Sequence, residues 1–274
     1  MKVAAPRLIR RMALPALMAC IVTSVSATQV SAAVKAGVEV PVSLLAAEEY
    51  GENVYDYTKA KDWKQAHTAV QSLARAAKTM REEIPDQSAT EDRLDAVIVT
   101  LREAVTARDR QRAMHDANQA TWHVLQMTAA YEAPTPIEVG KLDYYGRELE
   151  VWSQVNDLGR LQTTTTAMRR EWNALKARVS ARSPGEAAKF GGLVKQLEAA
   201  AIAADYARLA TAILDEVDNV EKVFDPKTAA LCPGGCLLRL IGVAGRASAA
   251  STGCAPPVLQ HREDRSARAR RVQG

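Results

Sequence analysis

The side chains best suited to binding chemistry are one guanidinium, one amide, two carboxylates and three aromatic rings. Four of these seven side chains lie within 143–148, and the other three lie earlier in the sequence. Arg147 and Asn118 together can hold a polar or anionic group, because a guanidinium donates hydrogen bonds and an amide both donates and accepts them. A carboxylate of Asp143 or Glu148 would orient the guanidinium, and the aromatic rings would supply flat apolar walls. The predicted ligand-binding residues are Tyr55, Asn118, Trp122, Asp143, Tyr145, Arg147 and Glu148.

The same residues also fit a purely structural interpretation. Asp143 and Arg147 are four residues apart, which is the spacing of an ordinary ion pair on one helix. Tyrosine rings often cover the end of a helical bundle while their hydroxyl groups reach water. The choice between a pocket and a packed bundle end depends on how these side chains are arranged in three dimensions.

Other kinds of active centre find little support in the sequence. No histidine follows a glutamate by three residues, so the paired Glu-x-x-His motifs of a di-iron site cannot form. Cys232 and Cys236 have the wrong spacing for a c-type haem and no histidine after them. His115, His123 and Met127 leave a metal-associated bundle as an alternative. No recognisable nucleophile motif is present, so we predict a non-enzymatic protein without a cofactor.

Four helical segments are expected to position the candidate residues. Serine or threonine followed three residues later by glutamate marks a helix start, because the two side chains cap free backbone N–H groups. Such pairs begin at Ser88, Thr135 and Ser183, and apolar residues recur at three- and four-residue spacing through each segment. The sequence predicts an all-α fold, a single antiparallel up-down-up-down four-helix bundle with long helices over 43–224. The two halves show no convincing internal repeat.

Antiparallel packing allows positions on neighbouring segments to be matched by counting outward from each turn. Counting from the turn near 134 places Glu148 level with Asn118 and Trp122, and the next turn back places Asn118 level with Tyr55. Counting from the turn after the third segment places Glu148 level with Asp218. We therefore expect the candidate residues at a tyrosine-rich end of the bundle.

The first residues have the layout of a secretory signal peptide. Basic residues precede an apolar run from Met12 to Val25, and small residues follow at two acceptable cleavage positions, 27 and 32. The apolar run is shorter than the roughly 20 residues that a membrane span needs, so we predict a cleaved signal peptide over 1–27. The residues before Cys20 resemble a bacterial lipoprotein box, so a lipid anchor at Cys20 is the alternative to the cleaved signal peptide.

Export changes how the charge of the chain is interpreted. The formal net charge is +4, but 28–224 contain 24 basic and 29 acidic residues. A nucleic-acid interface needs basic residues gathered on one face, so we expect no nucleic-acid partner. After 225, alanine, glycine and arginine dominate without a helical period, which predicts a disordered tail over 225–274.

These features predict an exported, periplasmic, non-enzymatic helical-bundle protein. We expect it to bind a small ligand or a partner protein of the envelope at its tyrosine-rich end. The alternatives are a metal- or haem-associated periplasmic bundle and a structural envelope protein without a ligand. A helical fold alone does not choose among these functions.

Overall fold

The computed structural model of the chain describes residues 39–225, where all regular secondary structure is helical. The prediction of an all-α fold is confirmed for this part of the chain. A single 3-10 turn covers Pro85–Gln87. The α-helices are α1 (Val42–Lys59), α2 (Trp63–Glu83), α3 (Ser88–Ala107), α4 (Arg110–Thr128), α5 (Ile137–Gln154), α6 (Leu158–Arg182), α7 (Pro184–Ala199) and α8 (Ala203–Lys222).

Several predictions fall outside the described residues. These are the signal peptide over 1–27, the lipid anchor at Cys20, and the tail after 225 with its three cysteines. None of the helices described here is long and apolar enough to cross a membrane.

Each of the four expected segments is a pair of helices, so the described chain contains eight α-helices where four were predicted. Three of the pairs are joined by a Schellman motif, in which two turn amides bond to carbonyls three and five residues earlier. Its left-handed residue is lysine, arginine or asparagine rather than glycine. An aspartate follows and caps the next helix through its side chain. The three turns contain Lys61-Asp62, Arg108-Asp109 and Asn156-Asp157.

The shorter helices form two four-helix bundles, which corrects the expectation of a single one. In the first bundle α1 and α3 each contact α2 and α4, and in the second α5 and α7 each contact α6 and α8. Each bundle has its own core, around Leu73 and Met114 in the first and around Leu149 and Phe190 in the second. A helix of 20 residues spans about 30 Å, which sets the length of each bundle.

The two bundles share landmarks that are 95 residues apart, although no repeat was predicted from the sequence. In each bundle the first helix follows a proline, carries a Tyr-Gly pair and ends before an aspartate cap. The glycine allows the first helix to approach the fourth closely. A methyl group at Gly51 would lie 2.7 Å from Oγ1 of Thr121, and one at Gly146 would lie 2.7 Å from Cδ2 of Leu214. The matching positions are Pro41 and Pro136, Tyr50 and Tyr145, Gly51 and Gly146, and Asp62 and Asp157.

Each of the four helix pairs contains one turn. Antiparallel packing places these four turns at the same end of the helices, which we call the hairpin end. It consists of the turns at 60–62, 108–109, 155–157 and 200–202. Arg110 connects three of these turns, because its Nε donates to the carbonyl oxygen of Lys59 at 3.3 Å and its Nη1 donates to Oε1 of Gln154 at 3.0 Å. The turns at 60–62, 108–109 and 155–157 therefore form one continuous surface.

The two bundles meet on α5. Residues 144–149 of this helix are all buried, and burial on every side requires neighbouring helices all round. Besides α6 and α8 of its own bundle, α5 contacts α4 of the first bundle, and its side chains reach α1. We call the contact of α5 with α1 and α4 the junction.

Candidate functional site

All seven predicted binding residues lie on the three helices of the junction. Asp143, Tyr145, Arg147 and Glu148 are on α5, Tyr55 is on α1, and Asn118 and Trp122 are on α4. The six on α4 and α5 occupy middle turns of these helices, and Tyr55 lies four residues before the end of α1, which corrects the expectation that all seven lie at a tyrosine-rich bundle end. Asp218, which was matched with Glu148, is exposed on α8, because the break at 155–157 shifts the count along the third segment.

Arg147 is the charged centre of the junction. Its Nε lies 2.9 Å from Oδ2 of Asp143, its Nη2 lies 3.8 Å from Oε1 of Glu52, and its guanidinium carbon lies 5.0 Å from the centre of the Tyr55 ring. Burial acts to lower the pKa of Arg147, but the nearby carboxylates, Asp143 first, raise it overall. The residue is 5% exposed, so a charge that would be costly alone is compensated within the junction.

Asn118 of α4 and Glu148 of α5 form a second set of hydrogen bonds next to Arg147 in the sequence of α5. The fully buried amide of Asn118 donates to Oε1 of Glu148 at 2.9 Å and to the carbonyl oxygen of Tyr144 at 3.1 Å. The indole of Trp152 donates to Oε2 of Glu148 at 2.6 Å. Glu148 therefore orients Asn118 and Trp152, whereas Asp143 alone of the two predicted carboxylates contacts Arg147.

Tyr55 connects the first bundle directly to α5. Its hydroxyl donates to Oε2 of Glu150 at 2.9 Å, and the ammonium of Lys59 pairs with the same carboxylate at 2.8 Å. Burial and the charge of Glu150 raise the pKa of Tyr55 well above its usual value. The phenol therefore stays protonated and acts as a hydrogen-bond donor.

The remaining aromatic residues stack beside this network. The ring centres of Trp122 and Tyr144 are 4.6 Å apart, and those of Tyr144 and Tyr145 are 5.1 Å apart with the planes at 69°. Gln119 donates to the hydroxyl of Tyr144 at 2.8 Å. Trp122 is only partly buried, so it forms the outer face of the cluster while both tyrosines are covered.

Sequence reasoning missed several members of the junction, including Glu52, Glu150 and Trp152. The signal that could have found the first two is the spacing of 95 residues between the bundles. Glu52 occupies the position in α1 that Arg147 occupies in α5, and Tyr55 is related to Glu150 in the same way. Equivalent faces of α1 and α5 therefore lie against each other, with the two helices running in the same direction.

Among the seven predicted residues, two buried side-chain atoms have no hydrogen-bond partner within the described part of the chain. They are Nη1 of Arg147, which is a donor, and Oδ1 of Asn118, which is an acceptor. Buried polar atoms normally have a partner. The junction can therefore accept one more hydrogen bond at the amide and donate one more at the guanidinium.

The residues of the metal alternative do not form a ligand set. Met127 is fully buried in the first core, while the ring of His115 packs on Trp152 and its Nδ1 lies 3.3 Å from Oδ1 of Asp116. Burial lowers the pKa of His123. Within 39–225, no group of three or more His, Cys, Asp or Glu side chains is arranged to hold a metal ion.

A shallow cleft of about 300 Å³ lies between α1 and α2, away from the junction. Tyr50, Arg75 and Glu83 are among its lining residues, and Glu83 accepts a hydrogen bond of 2.5 Å from Ser43. None of the seven predicted binding residues lines it.

Comparison of the chain with protein-family models, with characterised proteins and with solved structures gives no match.

Proposed function

We propose that this chain is an exported, non-enzymatic binding protein and that the junction between its two bundles holds a small polar ligand. Export is inferred from the signal-like sequence of 1–27. The seven residues predicted from the sequence are proposed to bind this ligand. A small molecule is favoured over a partner protein because the polar atoms that lack partners are buried, beyond the reach of another protein's surface.

The observation that carries the proposal is the pair of unsatisfied polar atoms, Nη1 of Arg147 and Oδ1 of Asn118. A buried polar atom without a partner destabilises the fold by about 1–3 kcal/mol, and a bound molecule that supplies the missing hydrogen bonds would recover this free energy. Asp143 and Glu52 already balance the charge of Arg147. The local electrostatics therefore favour a neutral ligand with a carbonyl or amide group, rather than the anion considered from the sequence.

The proposal is tested by native mass spectrometry of the protein isolated from the cells that produce it. We expect an additional small mass on the wild-type protein and its loss from Asn118→Leu, which keeps the branched shape of the side chain but replaces its polar atoms with methyl groups. Asn219→Leu is the matched control, because Asn219 lies on α8 and bonds to Glu216, outside the junction. The control should retain the additional mass.

A structural role without a ligand is the second candidate. It is supported by the number of polar groups in the junction that bond to one another, among them Asn118, Glu148 and Tyr55. Such a network would fix the two bundles relative to each other and leave water as the partner of the remaining atoms. A wild-type protein that carries no additional mass, or a ligand that survives Asn118→Leu, would favour this role over the binding site.

A further inference from the structure

Three exposed apolar side chains occupy turns of the second bundle at the hairpin end. Val155 is 46% exposed, Leu158 is 37% exposed and Ile202 is 58% exposed. Val155 and Leu158 flank the turn between α5 and α6, and Ile202 precedes α8. Scattered exposed apolar residues need no explanation, but these three lie at the same end of one bundle, with Val155 and Ile202 in turns and Leu158 at the first residue of α6.

The turns of the first bundle at the same end are strongly basic. Six basic residues lie in or next to the turns at 60–62 and 108–109. These six are Lys59, Lys61, Lys64, Arg108, Arg110 and Arg112. Lys59 pairs with Glu150, and Arg112 pairs with Glu103 and Asp116, whereas Lys61, Lys64 and Arg108 are exposed. The opposite end of the same bundle has the reverse charge, with exposed carboxylates at Glu82, Glu83 and Asp86 in and before the connection from α2 to α3.

The basic and apolar parts belong to one surface. Arg110 bonds to the last residues of both α1 and α5, so the basic turns lie beside the turn that carries Val155. Arg160, at the start of α6, lies with its guanidinium carbon 4.3 Å from the centre of the Trp152 ring, and its Nε lies 3.6 Å from Oδ2 of Asp157.

We propose that the hairpin end docks on an anionic lipid bilayer surface. Basic side chains are attracted to anionic headgroups, and each one held near such a surface strengthens binding about fivefold. Exposed apolar side chains beside them insert at the boundary of the headgroups and the acyl chains. The apolar turns favour lipid over nucleic acid or an acidic protein, since neither would bury them. The reversed charge of the opposite end directs that end away from the membrane.

The test measures binding of the full chain to two kinds of vesicle, phosphatidylcholine alone and phosphatidylcholine with phosphatidylglycerol. We expect binding only to the anionic vesicles, with slower hydrogen exchange of the backbone amides in the turns of the hairpin end. The substitutions Lys61→Gln, Lys64→Gln and Arg108→Gln together should weaken binding at least tenfold. A second variant, with Val155→Ser, Leu158→Ser and Ile202→Ser, should weaken it severalfold.

The matched control removes the same charge elsewhere, through Lys78→Gln, Arg93→Gln and Lys176→Gln, all of which are exposed and distant from the hairpin end. It should bind within about twofold of the wild type. Equal loss in this control, or hydrogen-exchange protection confined to 1–38 or 226–274, would overturn the proposal. So would binding of polyglutamate or duplex DNA, but not of vesicles, through Lys61, Lys64 and Arg108.

Discussion

Replacement of Arg147 by methionine tests whether the junction holds the two bundles together. The substitution preserves most of the side-chain volume but removes the guanidinium from beside Asp143 and Glu52. Removal of one partner from a buried ion pair costs about 3–5 kcal/mol, because the carboxylates lose a buried positive neighbour while they stay largely shielded from water. The side chain of Arg147 is 6% exposed and that of Glu52 is 9% exposed, so solvent screens the pair very little. The expected loss is a large fraction of the 5–15 kcal/mol that stabilises a typical protein.

The free energy of unfolding should be measured by urea denaturation, followed by circular dichroism and by tryptophan fluorescence. Arg178→Met is the matched control, since Arg178 pairs with Glu138 at 3.2 Å but its side chain is 50% exposed. An exposed pair contributes about 0–1 kcal/mol, so the control should differ little from the wild type. Neutralising the partners of Arg147 as well, with Glu52→Gln and Asp143→Asn, should recover part of the loss.

A small effect would refute the reasoning. If Arg147→Met costs less than about 1 kcal/mol, as expected for an exposed pair, then water reaches the guanidinium and its carboxylates, and the junction is not a buried charge network. Failure of the two partner substitutions to recover any stability would show that the loss comes from packing rather than from unpaired charge.

Three further predictions concern positions outside this ion pair. Glu91→Leu should raise the free energy of unfolding by about 1 kcal/mol at pH 7, because both carboxylate oxygens are buried without a hydrogen-bond partner among the described residues. Burial raises the pKa of Glu91 in the folded state. The protonated carboxyl of the wild type therefore contributes stability below the pKa of the unfolded state, about 4.3, and this contribution is lost as the pH rises through the pKa of the folded state. The advantage of the variant in urea denaturation should therefore shrink towards pH 4. Gly51→Ala should lower the melting temperature, at a cost of about 1–3 kcal/mol, whereas Gly192→Ala, where an added methyl group meets nothing within 4 Å, should raise it. Arg108→Gly should stabilise the protein by up to about 1 kcal/mol in thermal unfolding, since it relieves a left-handed backbone with φ of 56°, and Asn156→Gly should gain less because asparagine tolerates this conformation.

The helical class was predictable because apolar residues recur at helical spacing throughout 43–224. The breaks inside the segments were not, because they contain neither proline nor glycine. Lys61 and Arg108 adopt the left-handed conformation that usually indicates glycine. The readable signal was the aspartate after each of them, which caps the next helix.

The contacts of the candidate site were predictable where positions were counted outward from a turn that does join two adjacent helices. Asn118 and Glu148 are equally far from the connection between α4 and α5, and their side chains are hydrogen-bonded at 2.9 Å. Asp218 was matched across a segment that contains an unrecognised break, and it is exposed on α8. The true neighbours of Gly146 on α8 are Ile213 and Leu214, because α5 packs on α8 as the first and last helices of one bundle.

The repeat escaped sequence comparison because its two halves are alike where shape matters and unlike where the bundles touch. The glycines at 51 and 146 both permit a close approach of the first and fourth helices, so both bundles need the same residue there. One position later, Glu52 and Arg147 face each other, and three positions further along, Tyr55 donates to Glu150. Identical residues at these equivalent positions would place like charges or two donors together in a buried contact, which is unfavourable. Contact between equivalent faces therefore requires complementary residues, and a search for identity finds least where the two halves interact most.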